Sequence, residues 1–236
     1  MTDPLCRQEI VRYTGSIRDT RSELLAREVL VEVLLEGRSR AVLHCSPGQE
    51  EELARGHLYA TGMLRNPGTP AEIRKGHDRT TVSFLNCLAG GDHSPPDRMD
   101  EYNIRADFVY SGLSDLEESQ SSFRSTGATH ASLCCPIGSS EYYFAEDISR
   151  HSAMSKAIGA ALMDGGFPEN CMLFTTGRLT GSLVHSCCYA NLAAVASKAV
   201  ATTEGMSRAQ RANLTLIGSL TSSGFWLYNE GLTKII

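Results

Sequence analysis

Hydrophobic positions along this chain change period several times, and the changes divide it. In VLVEVLLEG, Val29, Val31, Val33 and Leu35 recur at every second position, as in a half-buried strand. Gly37 turns the chain into RAVLHCS, so a β-hairpin is predicted. Ser46, Pro47, Gly48 and Gln49 then read as an N-cap, a first-turn proline and a capping-box glutamine. The helix they open is expected to reach about Leu64, interrupted by Gly56 and Gly62. TTVSFLNC (80–87) is a further strand, and AGGDHSPPDRMDEYN (89–103) is a loop by its Gly, Pro and Asp content. That loop sets the boundary between an N-terminal subdomain, 27–100, and a C-terminal one, 101–236. Residues 1–26 are polar and mixed in charge, and read as a tail or an extension that docks elsewhere.

The second half alternates. Strand-like THASLCC (129–135) passes through a turn at 136–140 into EYYFAED (141–147). A helix over 149–163 follows, with Ala153, Met154, Ala157, Ile158, Ala161 and Leu162 on one face, ended by Gly165 and Gly166. Strand 171–176, helix 179–190, strand 192–197, helix 201–212 and strand 214–220 complete the series. Such alternation predicts an α/β layered domain. No internal repeat is visible.

Composition narrows the classes. The 236 residues, 42% hydrophobic and 21% charged, can bury a core. A net charge of -5 argues against nucleic acid as a partner. No apolar run approaches the ~18–20 residues of a membrane span, and the N-terminus has no signal-like apolar region, so a cytoplasmic location is expected. The eight cysteines (Cys6, Cys45, Cys87, Cys134, Cys135, Cys171, Cys187 and Cys188) then read as reduced thiols. No C-x-x-C occurs, which excludes a zinc ribbon and a thioredoxin-like motif. The zinc-deaminase pattern fails as well, because Ala131 and Ser132 follow His130 where H-x-E is required. No metal site is expected. Cys187 and Cys188 continue an apolar helical stripe with Leu183 and Val184, and Cys45, Cys87 and Cys171 lie in or beside strands. All five read as small buried hydrophobes.

Ligands of α/β sheets collect where strands meet helices. That directs attention to four junctions: 125–130, 147–156, 175–180 and 219–224. Arg150 and His151 at a helix start oppose the macrodipole unless an anion sits among them; a solvated polar face is the competing reading. Gly177 permits close backbone approach, and Arg178 beside free helix N–H groups suits a phosphate.

Six stretches, taken in order, carry a family pattern. TGATHAS (126–132) is similar to TGG-x-HAA, EDISRHSAMSK (146–156) to E-D-V-G-R-H-N-A-V-D-K, and TTGRLTG (175–181) to T-S-G-R-[LV]-S. SPGQEEELARGHL (46–58) follows SPG-x-x-x-E-L-A-x-G-x-L, LTLIGS (214–219) follows L-T-L-I-G-F, and SKAVATT (197–203) loosely follows S-x-x-A-P-T. From about residue 29 to 228 the chain thus resembles the formate dehydrogenase accessory protein family, FdhD. The resemblance implies a three-layer α/β/α fold with a mixed sheet, cytidine-deaminase-like, plus a smaller N-terminal α+β subdomain, and a homodimer. It implies a sulfurtransferase that takes a persulfide from a cysteine desulfurase and passes sulfur to the molybdopterin guanine dinucleotide cofactor destined for formate dehydrogenase.

The site implied for that cofactor, and for its guanine nucleotide moiety, draws on Thr126, Gly127, His130, Arg150, His151, Lys156, Thr176, Gly177 and Arg178. The closing loop adds Ser219, Leu220, Thr221, Ser222, Ser223 and Gly224, although the family favours an aromatic and an arginine there. Arg150, Lys156 and Arg178 are expected to meet phosphates, Gly127 and Gly177 to let backbone approach, and His130 and His151 to hydrogen-bond the ligand. The family's persulfide cysteine lies in a C-G-x-C-G loop before TGG-x-HAA. Here that region, YNIRADFVYSGLSDLEESQSSF (102–123), contains no cysteine. Two readings follow. Cys134 or Cys135, which strand alternation points to opposite sides, has taken over; or the chain is a non-catalytic chaperone that binds the cofactor without transferring sulfur. A hydrolase or deaminase relic is a third reading, weakened by the missing acid and metal ligands.

Overall fold

The computed structural model describes residues 3–76, 79–85, 101–165 and 168–236. It opens with a two-stranded antiparallel ribbon, β1 (Leu5–Thr14) and β2 (Ile17–Ala26), turned at Gly15 with φ 60°. Of the two readings of this segment, a tail or a docking extension, the ribbon is the second, and β2 packs against a helix far along the chain, α3 (Ser121–Thr126).

A four-stranded sheet follows, in the order β4-β3-β6-β5, from β3 (Val29–Leu35), β4 (Arg38–Cys45), β5 (Ala71–Lys75) and β6 (Arg79–Phe84). The alternating Val31, Val33 and Leu35 are buried with Val82 and Phe84, under Leu53 and Leu58 of α1 (Glu50–Ala60). The predicted strand 80–87 is seen as far as Phe84; Cys87 and the loop positions 89–100 lie outside the described residues.

α1 starts and ends differently from the expectation. Gln49, not Ser46, is its N-cap, in the left-handed region and without a side-chain cap. Gly48 N–H instead donates to the Glu50 carboxylate at 3.0 Å. The helix stops at Ala60 rather than Leu64, with Gly62 beyond it at φ 74°. Gly56, by contrast, has a definite task. A Cβ there would lie 1.9 Å from the Ser155 carbonyl oxygen, and one on Gly159 would lie 1.9 Å from that of Glu52. α1 and α4 (Arg150–Met163) thus cross backbone against backbone, and this crossing joins the two halves.

The main sheet has the order β13-β12-β11-β10-β8-β9. Its strands are β8 (His130–Pro136), β9 (Tyr143–Asp147), β10 (Cys171–Thr175), β11 (Ala194–Ser197), β12 (Thr215–Thr221) and β13 (Gly224–Asn229). β10, β11 and β12 are parallel, joined through α5 (Gly181–Tyr189) and α6 (Thr203–Arg211); β8, β9 and β13 pair antiparallel. One face packs on α4, α5 and α6 through Leu173, Val195 and Leu216. The other packs on α2 (Ala106–Ser119) through Leu133, Met172 and Phe174. The fold is α/β, in three layers around a mixed sheet. β7 (Tyr102–Ile104) pairs in parallel with β14 (Thr233–Ile235). No helix among the described residues is long and apolar enough to cross a membrane.

Candidate functional site

Strand direction assembles the site. β8 runs against β10, with Ser132 opposite Thr175, and β9 runs against β8, with Asp147 opposite His130. The start of β8 therefore shares an edge with the ends of β9, β10 and β11, and three of the predicted junctions meet there.

Thr176 is the local hub. Its Oγ1 lies 3.1 Å from His130 Nδ1 and accepts from Ala131 N–H at 3.1 Å. Beneath it runs a buried hydroxyl ladder that sequence reasoning missed. Ser132 Oγ donates to Thr175 Oγ1 at 3.0 Å, Gly177 N–H donates to the same oxygen at 3.2 Å, and Ser197 Oγ donates to the Gly177 carbonyl at 2.7 Å. The only signal for it was a hydroxyl at or near the inner end of each strand. It fixes Gly177, and Gly177 in turn accommodates Arg150: a Cβ on the glycine would fall 2.8 Å from Arg150 Cβ and 3.0 Å from Cδ. Arg150 lies across this glycine with its Nε buried and unpaired among the described residues. Burial lowers the pKa of His130, and the nearby charges of Arg150 and Arg178 lower it further. Arg178 is exposed.

A cavity of about 340 Å³ opens here, lined by Gly127, Thr129, His130 and Thr176, and by Gln120, Phe123 and Lys198, which the sequence reading did not name. No carboxylate among the described residues lines it. Glu146 beside it is consumed in holding α3, accepting from Ser122 N–H and Phe123 N–H at 2.8 Å each and from Thr129 Oγ1 at 2.9 Å.

Several expected ligand residues have other work. Lys156 is 1% exposed; its ammonium lies 2.8 Å from Asp147 Oδ2 and donates to the Ser46 carbonyl at 2.8 Å. Asp147 also accepts from Ser46 N–H at 3.0 Å and from Ser149 N–H at 2.9 Å. This lysine is occupied in the seam between subdomains and does not present a free charge to a phosphate. Thr126 donates to the Ser122 carbonyl at 2.8 Å and accepts from Ala128 N–H at 3.2 Å. Gly127 is the left-handed cap of α3, at φ 66° and ψ 8°, so its glycine answers a backbone demand rather than a close approach. His151 lies 3.2 Å from Ser182 Oγ and lines a second cavity, of about 360 Å³, with His44 and His57. Residues 219–224 form a strand end and hairpin turn instead of a strand–helix junction. Ser219 sits at φ 49° with its N–H on the Ala199 carbonyl, Leu220 is buried in the core, and Thr221 bonds within the turn that carries Ser222, Ser223 and Gly224.

Cys134 and Cys135 do point to opposite faces, but both faces of this sheet are covered. A hydrogen bond with Cys171, together with full burial, raises the Cys134 pKa well above the ordinary thiol value. Burial pushes Cys135 up to about 12. Neither is a nucleophile at neutral pH. Among the described cysteines, all but Cys6 are buried. The cysteine-free stretch 102–123 is folded as β7, α2 and the start of α3.

The sequence model of the FdhD/NarQ family matches residues 80–234. Among curated proteins, the sulfur carrier protein FdhD of Methanothermobacter thermautotrophicus is 27% identical, with 88% of this chain and 90% of that one covered. FdhD of Listeria innocua is 21% identical, with 96% and 97% covered. A candidate formate dehydrogenase accessory protein from Desulfotalea psychrophila, known from its crystal structure, superposes with a TM-score of 0.80 at 21% identity, covering 96% and 97% of the two chains.

Proposed function

This chain belongs to the FdhD/NarQ family, and from that premise we propose that it is an accessory protein for formate dehydrogenase that binds the molybdopterin guanine dinucleotide cofactor as cargo. The observation that carries this reading is Arg150, laid over Gly177 beside His130 with a buried, unpaired Nε. A guanidinium so placed lacks an acceptor, and a phosphate oxygen is the acceptor whose geometry it fits best. Phe123, with His130 and Gln120, offers the cavity a flat wall and polar edges suited to a planar base. In this reading Arg150 and Arg178 hold the phosphates, while Thr176 sets the ring of His130. The family's partners, a cysteine desulfurase and formate dehydrogenase, its homodimeric state and a cytoplasmic setting belong to the same proposal.

Sulfur relay is the less supported half. Transfer needs an accessible thiolate to attack the donor persulfide, and burial disfavours that state at Cys134 and Cys135. Half-buried Cys6 on β1, and Cys87 outside the described residues, remain the thiols through which relay would run. Delivery of the cofactor without sulfur transfer is therefore the favoured form of the function.

Calorimetry with guanosine diphosphate tests the binding half. Arg150→Ala is expected to lose about tenfold in affinity, and an unchanged affinity removes the phosphate assignment. Incubation with a cysteine desulfurase and cysteine, followed by mass spectrometry, tests the other half. Cys134 and Cys135 are expected to stay unmodified, and a persulfide on either restores the relay reading.

A further inference from the structure

We propose that Lys198 is a further phosphate-contacting residue of the cavity, and that Glu117 of α2 competes with the ligand for its ammonium; this rests on the nucleotide-binding reading above. Lys198 follows β11 and lines the cavity beside His130 and Thr176. Its backbone is fixed. The N–H donates to the Thr175 carbonyl at 3.1 Å, and the next residue, Ala199, donates to Ser197 Oγ at 3.0 Å. Only the side chain has room to choose partners, and in this structure Nζ lies 2.5 Å from Glu117 Oε1.

The position of Glu117 is equally fixed. Arg124 Nη1 donates to the carbonyls of Glu117 and Glu118 at 3.0 Å each, which closes the last turn of α2. The two paired side chains are 40% and 48% exposed. So exposed a pair holds its partners by no more than about fivefold. A diphosphate group brings two or more negative charges to a cavity that no carboxylate of the described residues lines, and it outcompetes one solvated carboxylate for the ammonium. Glu117, released, returns to water at little cost. α2 thereby sets a threshold for anion entry, from a segment where the family pattern has a cysteine loop.

The test is calorimetric titration of guanosine diphosphate and of inorganic pyrophosphate into the wild-type chain, Glu117→Gln, Lys198→Gln and the double variant. Glu117→Gln is expected to bind both probes about two- to fivefold more tightly, Lys198→Gln about tenfold more weakly, and the gain from Glu117→Gln to vanish once Lys198 is replaced. Lys198→Arg, which keeps the charge, is expected to keep the affinity, and thermal melts of all variants are expected to coincide with wild type. If Glu117→Gln binds no tighter, there is no competition. If Lys198→Gln binds as well as wild type, there is no contact. Ordering with the nucleotide but not with pyrophosphate moves the contact off the phosphates and overturns the assignment. A wild-type chain that binds neither probe overturns the nucleotide reading itself, a result distinct from a wild type that binds and a Glu117→Gln that changes nothing.

Discussion

Arg150 and Lys156 are two cations of one helix, within one eleven-residue motif, yet they live in opposite circumstances. Arg150 lies at the first turn of α4 with its stem over Gly177 and its Nε without an acceptor. Lys156 sits almost two turns further on, where α4 meets α1, fully enclosed by Asp147 and the Ser46 carbonyl. A buried charge that has its partner holds the fold together. Arg150, only half-buried, keeps a buried Nε that no described residue accepts from. A shared place in the motif 146–156 made the two look alike, and the surroundings of each helix face separate them.

The sharpest way to break this comparison is to remove the buried partner. Lys156→Met leaves Asp147 enclosed and unpaired, and is expected to cost about 3–5 kcal/mol in urea unfolding. The sign of its pH dependence follows from Asp147, whose pKa burial raises against the pull of Lys156. Without the lysine, the folded state holds a proton that the unfolded chain releases near the ordinary carboxylate value. The stability of the variant should therefore be greatest in acid and fall as pH rises through the carboxylate range. A variant equally stable at both ends would show that the lysine, rather than the stranded carboxylate, sets the loss.

Next in size is the crossing that carries this seam. Gly56→Ala places a methyl against the Ser155 carbonyl, where backbone cannot yield as a side chain can, and is expected to cost about 1–3 kcal/mol despite alanine's better helix propensity. At the candidate site, Gly177→Ala places a methyl 2.8 Å from Arg150 Cβ, which is fixed to α4, and 3.0 Å from Cδ of the more flexible stem. It should cost less stability than Gly56→Ala and weaken guanosine diphosphate binding by up to about tenfold, by displacing the guanidinium. Equal losses of stability in the two alanine variants would erase the distinction between seam and site.

How much of this was legible from residues alone depended on where each one's partners lie. β3 was legible because one face is buried and Val31, Val33 and Leu35 alternate. The ribbon of β1 and β2 was not, because most of both its faces are exposed and no period-2 pattern develops. α2 carried a helical signal, Val109, Leu113 and Leu116 on one face, but the missing cysteines drew attention to what the segment lacks. Ser46 had the spacing of a helix cap, yet its N–H is claimed by Asp147, 101 residues away. Gly127 and His130 are neighbours in one local motif, whereas Thr176, which lines the same cavity, is brought to them by the pairing of β8 with β10. Lys198, Phe123 and the hydroxyl ladder come together only through the sheet order, which no local pattern encodes.

The smallest expected effect concerns the histidines on the two sides of α4. Burial lowers the pKa of His57, and burial together with the nearby charge of Arg150 lowers that of His151. Their cavity joins β4, α1, α4 and α5, so the rings sit beside the crossing of α1 and α4. A histidine whose folded pKa is lowered leaves the fold undisturbed above its unfolded value of about 6.5. Below that pH the unfolded chain takes up the proton first, and stability declines. His57→Gln removes one such group, so its stability should fall less steeply than wild type between neutral and mildly acidic pH. Stability curves of wild type and variant that stay parallel across that interval would remove His57 from the acid sensitivity and leave it to the other histidines whose pKa is lowered, His130, His151 and His185.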